Sequence, residues 1–291
     1  MASRRNKLII ITGPTGSGKS DTALQLARRV GCDIISADSR QIYRGLPITT
    51  AAPNSEQLAQ VRHHFVGTLD LDQYYSAAQF EADVMALLPS LWEKSRVQIM
   101  CGGSMMYVDA IMRGIDQLPT ISDEVRTYCM DLYNAEGLPA VLAQLDNLDP
   151  EYGRQVDRQN HRRVIHALEI CLQSGTTYSS LRTGRIVERP FDIEAYYIDL
   201  PREQLFERIN ARVERMLAAG MLDEVAAVAH LRHLNSLNTV GVKEMLHVID
   251  GDWTLSFATA RLQKNTRVYA KKQLLWLRSR PAIRPLAAGL I

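Results

Sequence analysis

The chain of 291 residues has only four cysteines, Cys32, Cys101, Cys129 and Cys171, and no two of them form a C-x-x-C pair. That spacing suggests neither a zinc site nor a disulfide framework, and the cytosol is the expected compartment. Long apolar runs are missing too, so no membrane span is expected. Arg4, Arg5 and Lys7 do precede an apolar stretch, but Leu8 to Ile11 is too short for a signal-peptide core. Internal repeats and low-complexity tracts are also absent. With 46% hydrophobic and 23% charged residues, the composition is that of a soluble globule and excludes a disordered chain. A last shortage is local: no Asp or Glu follows Asp252, whereas eight Lys or Arg do. The formal net charge of +2 therefore hides a terminal segment suited to an anionic partner.

What is present begins with Gly13-Pro14-Thr15-Gly16-Ser17-Gly18-Lys19-Ser20, which fits G-x-x-x-x-G-K-[ST] and follows the apolar run Leu8 to Ile11. Glycines at 16 and 18 allow the tight turn in which successive N–H groups converge on a phosphate, and the helix behind the loop adds its positive end. Lys19 supplies a point charge to the phosphate and Ser20 a hydroxyl for Mg²⁺. Ala23, Leu24, Ala27 and Val30 recur at helical spacing and predict that helix.

Further along, Asp33 to Ser36 and Val97 to Met100 read as short buried strands, with a helix over 76–94 between them and another from Ser104 to about Arg113. The alternation predicts an α/β fold, a P-loop NTPase-like parallel sheet flanked by helices, with its site beyond the carboxyl ends of the strands. From Pro119 to Pro190 helical periodicity takes over, predicting an inserted all-helical subdomain over 119–190. Strand character returns at Glu194 to Asp199, and Pro201 and Gly220 bracket a further helix. The core domain is thus expected to be discontinuous, over 1–118 and 191–291.

At the end of the second strand, Asp38 could ligate Mg²⁺, act as a base toward an amine or hydroxyl, or simply cap a helix. Gly102-Gly103-Ser104 would bring backbone and a hydroxyl close to a ligand, or form an ordinary capped turn. Arg208, Arg212 and Arg215 form a cationic stripe on one helix, open either to solvent or to a phosphate pocket. Tyr152 to Arg189 holds seven Arg against three acidic residues, densest at Gln159-Asn160-His161-Arg162-Arg163. Such side chains contact nucleic-acid phosphates, although an exposed helix face reads the same. Adjacent His63 and His64 lack a third ligand at suitable spacing and are assigned to packing.

Taken together, "GPTGSGKS", "ISADSRQIYRGL", "YSAAQF", "GGSMMY", "NHRRVIHALEI", "RINARVERMLAAGMLDEV" and "VGVKE…YAKKQLLWLR" resemble the bacterial tRNA dimethylallyltransferases, nearly end to end. Three positions depart from the family pattern: Ser104 stands where Thr is common, Val242 replaces Tyr, and "ITTAAP" replaces a "GTAKP"-like stretch and so lacks its lysine. The resemblance implies a transfer of the dimethylallyl group of dimethylallyl diphosphate to N6 of the adenine 3′ to the anticodon. It implies that Gly13 through Ser20 hold the diphosphate, Arg212 clamps it, and Mg²⁺ bound by Ser20 neutralises it. It makes Asp38 the base and places Ser104 at the reacting centre. The family's tRNA contacts fall on Asp38, Ser39, Arg40, Gln41, Ser104, Arg126, Gln159, Asn160, His161, Arg162 and Arg163, for an anticodon stem-loop. A cytoplasmic monomer without membrane contact is expected. A small-molecule P-loop kinase, an isopentenyltransferase acting on free adenine nucleotides and an RNA-stimulated ATPase are the rivals.

Overall fold

In the computed structural model, which describes residues 5–287, the apolar run becomes β1 (Lys7–Thr12), hydrogen-bonded on both sides. A strand so placed is buried on both faces, which is why its sequence is continuously apolar and not alternating. Six strands, β1 with β2 (Ile34–Ser36), β3 (His63–His64), β4 (Val97–Cys101), β5 (Asp192–Asp199) and β6 (Ile283–Ala287), form one sheet. Its order is β3-β2-β4-β1-β5-β6, and every pairing is parallel. The expected α/β class is therefore the observed one. β3 and β6 were not anticipated; both are edge strands, where one-sided pairing leaves little periodic signal. Arg4 and the outermost residues of the expected core segments lie outside the described residues.

Between the strands run α1 (Lys19–Val30), α2 (Ser55–Gln60), α3 (Ala77–Lys94) and α4 (Met105–Arg113). The pleat sends Leu8 and Ile10 to one face, against Phe80, Val84 and Leu88 of α3. Ile11 faces the other way, against Ala23 and Ala27 of α1. Ser76 starts α3 with a reciprocal capping box to Gln79, worth about 1 kcal/mol. Tertiary packing tolerates Pro89 inside the same helix.

The chain then divides into two compact units, one of residues 1–112 and 188–291 and the other of 113–187. These limits fall before the Pro119 and Pro190 used as sequence markers, for a local reason. The Val187 N–H donates to Arg113 O, and the Thr183 hydroxyl and Gly184 N–H donate to Asp116, so 113–118 belongs to the smaller unit, whereas Arg189 is held by Glu81, Ala110 and Ile111 of the larger one. Within that unit, α5 (Asp123–Leu148), α6 (Pro150–Gln155), α7 (His161–Ser174) and α8 (Tyr178–Leu181) bury Cys129, Leu145, Val164 and Leu168. Gly137 breaks the helical path of α5.

Back in the larger unit, the Arg189 guanidinium contacts Glu81 and donates to the Ala110 and Ile111 carbonyls, anchoring the chain before β5. After β5 come α9 (Arg202–Ala218), α10 (Met221–Val228), α11 (Val242–Ile249) and α12 (Leu255–Arg278). Leu46, Val213, Met221, Val242, Met245 and Leu262 form their own core. Gly220, expected to end a helix, does so and starts α10 as well. No described helix is long and apolar enough to cross a membrane.

Candidate active site at the carboxyl ends of the strands

Because β4 lies between β1 and β2, the loop after β4 is pressed by the loops after both neighbours. A Cβ on Gly102 would meet the Ala37 backbone carbonyl at 2.1 Å, and one on Gly103 would meet Gln273 Nε2 at 2.6 Å. Only glycine permits this approach. The loop from Gly13 to Ser20, Gly102-Gly103-Ser104 and Asp38 to Gln41 thereby form one continuous surface. The Thr12 hydroxyl donating to Gly102 O at 2.8 Å and the Ala37 N–H donating to Cys101 O at 2.8 Å fasten it.

In the loop after β1, Gly18 takes a left-handed conformation and caps α1 with no side chain on the helix end. The first amides of α1 therefore stay open to an anion, at the positive end of the helix. Two of the loop's other amides are already used: the Ser17 N–H donates to Pro14 O at 3.2 Å and the Thr15 N–H to Gln273 Oε1 at 2.9 Å. The Ser17 hydroxyl is 1% exposed as a residue and has no hydrogen-bond partner among the described residues. A buried hydroxyl left so is unfavourable unless a ligand reaches it.

Lys19 and Arg212 carry the electrostatics. Burial pulls the Lys19 ammonium below its ordinary value, with Arg212 adding to the effect and Cys101 and Asp38 opposing it. Its one hydrogen bond is a long one, 3.5 Å, to Pro14 O. The Arg212 guanidinium is likewise lowered by burial, then raised in part by Asp38 and lowered by Arg215. Neither cation has a carboxylate within ion-pair distance among the described residues. Arg208, one turn before Arg212 on α9, donates to Ser17 O at 3.4 Å and so braces the loop. The stripe is thus not a uniformly solvated face. Lys19 also lies beside Cys101, whose thiol burial pushes up to about 11.

Asp38 does not cap a helix, since turns follow it. Its Oδ1 accepts from the Arg40 N–H at 2.9 Å and the Gln41 N–H at 3.3 Å, leaving Oδ2 without a hydrogen bond among the described residues. The Ser104 hydroxyl accepts from the Ser39 N–H at 2.8 Å and pairs with the Ser39 hydroxyl at 3.1 Å, while its carbonyl opens α4. Arg40 donates to the Asn235 and Ser236 carbonyls, and the Gln41 amide to Thr50 O and Ala51 O. These two side chains therefore shape the Asp38 loop from within. The segment holding "ITTAAP" is gripped from the other side by Glu224, which accepts from the Ile48 N–H at 2.7 Å and the Thr49 N–H at 2.6 Å. Tyrosines 107 and 269, both raised chiefly by burial, feel the charges of Asp38 and Arg40.

In the smaller unit the Asn160 side chain caps α7 by accepting from the Arg163 N–H at 3.3 Å, and His161 stacks on Tyr133. Gln159, Arg162, Arg163 and, on α5, Arg126 are exposed, and none of the three arginines pairs with a carboxylate among the described residues. Cations in the first turn of a helix oppose its dipole, so α7 holds Arg162 and Arg163 against local preference. His63 and His64 lie on β3, where His64 meets Asp33 at 2.9 Å, and no metal-holding cluster of His, Cys, Asp or Glu exists among the described residues.

Gln273 and Glu224 were missed by the sequence reading. Gln273 could have been found, because it interrupts the apolar stripe of Ala258, Leu262, Ala270 and Leu277 on α12 with a polar group. Nothing local marks Glu224, whose partners are 175 and 176 residues away.

Residues 41–280 match the family model described as IPP transferase. Among curated relatives, tRNA dimethylallyltransferase 2 of Parabacteroides distasonis is 49% identical, over 96% of this chain and 93% of its own. tRNA dimethylallyltransferase 1 of Phocaeicola vulgatus is 51% identical, over 93% and 90%. Of solved structures, the tRNA isopentenylpyrophosphate transferase of Bacillus halodurans superposes with a TM-score of 0.70 at 31% identity, covering 97% of this chain and 90% of that one. A eukaryotic dimethylallyltransferase acting on tRNA reaches a TM-score of 0.79 at 24% identity, covering 98% and 74%, a likeness of fold. With identity near one half along almost its whole length, the chain belongs to the IPP transferase family.

Proposed function

We propose that the chain transfers the dimethylallyl group of dimethylallyl diphosphate to N6 of the adenine 3′ to the anticodon in tRNA, releasing diphosphate. The observation that carries this reading is the pair of half-buried, desolvated cations, Lys19 and Arg212, without a carboxylate in ion-pair range among the described residues, beside an Asp38 with one oxygen free. Buried charge of one sign is costly until a ligand of the other sign arrives. A diphosphate supplies that charge, and most strongly as it leaves.

In the reaction the adenine amine attacks the allylic carbon, the carbon–oxygen bond to diphosphate breaks, and the electron pair departs with the diphosphate. The amine proton goes to Asp38 Oδ2. An aryl amine is a weak nucleophile until that proton has an acceptor. The Arg40 and Gln41 N–H groups on Oδ1 hold the carboxylate in one orientation. Ser104 holds Ser39 and hence the base loop. The open amides at the start of α1, the Ser17 hydroxyl, Lys19 and Arg212 receive the diphosphate.

The Ser20 hydroxyl would hold a Mg²⁺ ion arriving with the diphosphate, since that ion favours phosphates and water over a protein cage. Once bound it would offset charge on the leaving group. On the smaller unit, Arg126, Gln159, Arg162 and Arg163 form the surface for the anticodon stem-loop, supported by their exposure and unpaired charge. Reaching the adenine requires its extrusion from the loop stack, which costs least in a single-stranded loop. The four buried free cysteines support work in the reducing cytoplasm, and one chain supplies every group named, as a monomer requires. Incubation with dimethylallyl diphosphate, Mg²⁺ and unmodified tRNA, followed by nucleoside mass analysis, tests the proposal. Prenylated adenosine is expected; γ-phosphate transfer from a nucleoside triphosphate with unmodified tRNA would replace this reading with a kinase.

A further inference from the structure

Gln273 hydrogen-bonds both the diphosphate loop and its neighbour after β4. It is 3% exposed, on α12, far in sequence from both loops. Its Oε1 accepts from the Thr15 N–H at 2.9 Å, and its Nε2 donates to Gly103 O at 2.8 Å. A carboxamide is suited to this, because only a group that accepts at one atom and donates at the other satisfies an N–H and a C=O together. The fit is tight from the other side as well, since a Cβ on Gly103 would come within 2.6 Å of Gln273 Nε2. Neither hydrogen bond is needed to form α12, whose packing rests on its apolar stripe. A buried polar group among apolar neighbours is disfavoured unless it is satisfied, and here both halves are.

The bridge has a further consequence along the chain. From Gly103 the next residue is Ser104, whose hydroxyl holds the Ser39 N–H, and Asp38 is one residue before. Gln273 thus stands at the head of a path that runs from the leaving-group cradle, through Gly103 and Ser104, to the base. We infer that Gln273 is a positioning residue that fixes the distance between the diphosphate loop and the Asp38 loop. It touches neither substrate. It takes up the Thr15 amide so that this N–H serves geometry, and the anion is left to the amides at the start of α1. This inference rests on the proposed prenyl transfer, in which the attacked carbon lies between those two loops.

Misplacement of about 1 Å can cost roughly 10²-fold in rate when binding groups are intact. The test uses the full-length protein with Gln273→Met, which keeps the length without the paired bonds, and Gln273→Glu, which keeps an acceptor for Thr15 and loses the donor to Gly103. Pyrophosphate affinity is read by calorimetry, tRNA affinity by filter binding, and chemistry by single-turnover prenyl transfer at saturating substrates. Gln273→Met is expected to bind pyrophosphate and tRNA within about threefold of wild type, yet to react about 10²-fold more slowly. Gln273→Glu places a carboxylate near Lys19, so its pyrophosphate affinity is expected to fall for that reason alone and it is judged on rate and tRNA affinity. Should Gln273→Met fail to fold, a wild-type rate in Gln273→Glu overturns the inference. Wild-type rates in the folded variant overturn the inference, and so does a rate loss in Gln273→Met matched by an equal loss of pyrophosphate affinity, which would make Gln273 a support of the binding loop only. A wild-type protein that prenylates no tRNA brings down the proposed function and this inference together, whereas an active wild type with an equally active variant removes this inference alone.

Discussion

Lys19 and Arg212 in the larger unit and Arg162 and Arg163 in the smaller one carry the same charge in opposite settings. The first two are half-buried, far enough from water that desolvation lowers both. The second two stand in solvent at the start of α7. Burial concentrates a cation's effect on one ligand at short range, because the field there is not screened by water. Exposure spreads it: each arginine adds a small, salt-dependent increment to the attraction of a polyanion, and no single one is decisive. On this view, one pair holds a small leaving group tightly enough to drive chemistry, and the other holds a large substrate loosely enough to release it.

The contrast breaks most visibly at Lys19. Lys19→Ala removes the mobile cation next to the leaving group, and turnover at saturating substrate is expected to fall by about 10²- to 10³-fold. Steady-state kinetics check this, and an unchanged kcat would remove Lys19 from the chemistry. The exposed pair should behave otherwise. Replacing Arg162 and Arg163 together by Ala is expected to raise the KM for tRNA about tenfold near physiological salt and to reduce its logarithmic salt slope by about 1.4 to 1.8. Binding of dimethylallyl diphosphate should stay as it was. Equal damage to both substrates would mean that these arginines hold up the helical unit instead of gripping RNA.

The smallest effect is a fraction of a proton. Lys19 in the free protein holds its proton less firmly than an ordinary lysine, so its charged form becomes complete only as the pH falls below the lowered value. A bound diphosphate would raise that value again, and binding should take up protons between the lowered and the ordinary lysine range. Well below that window Lys19 is already charged, and uptake should vanish. Calorimetry in buffers of different ionisation enthalpy measures the uptake by difference from Lys19→Arg, whose guanidinium remains protonated throughout.

The same contrast explains what could be read without coordinates. Gly13 to Ser20 and β1 are local in sequence, with a motif and an apolar run side by side, and both were legible. Asp38 and Ser104 each stand at the end of a recognisable strand and could be singled out there; of three roles offered for Asp38, the turn after it removes only the helix cap. The Arg208, Arg212 and Arg215 stripe was legible as a stripe; only the fold shows that Arg212 is half-buried and desolvated while Arg208 and Arg215 are exposed. Gln273, Glu224, β3 and β6 escaped because their partners come from distant segments or a single neighbouring strand. Such contacts leave no period in the sequence.

The most direct test is a single-turnover measurement of prenyl transfer to tRNA by wild type and Asp38→Asn over a series of Mg²⁺ concentrations. Removing a base that acts only in the transition state leaves both substrates bound and slows the chemical step by roughly 10²-fold or more at every Mg²⁺ concentration. That is the expected result. Recovery of the rate at high Mg²⁺, accompanied by weakened diphosphate binding, would contradict the account by moving Asp38 from the amine to the metal.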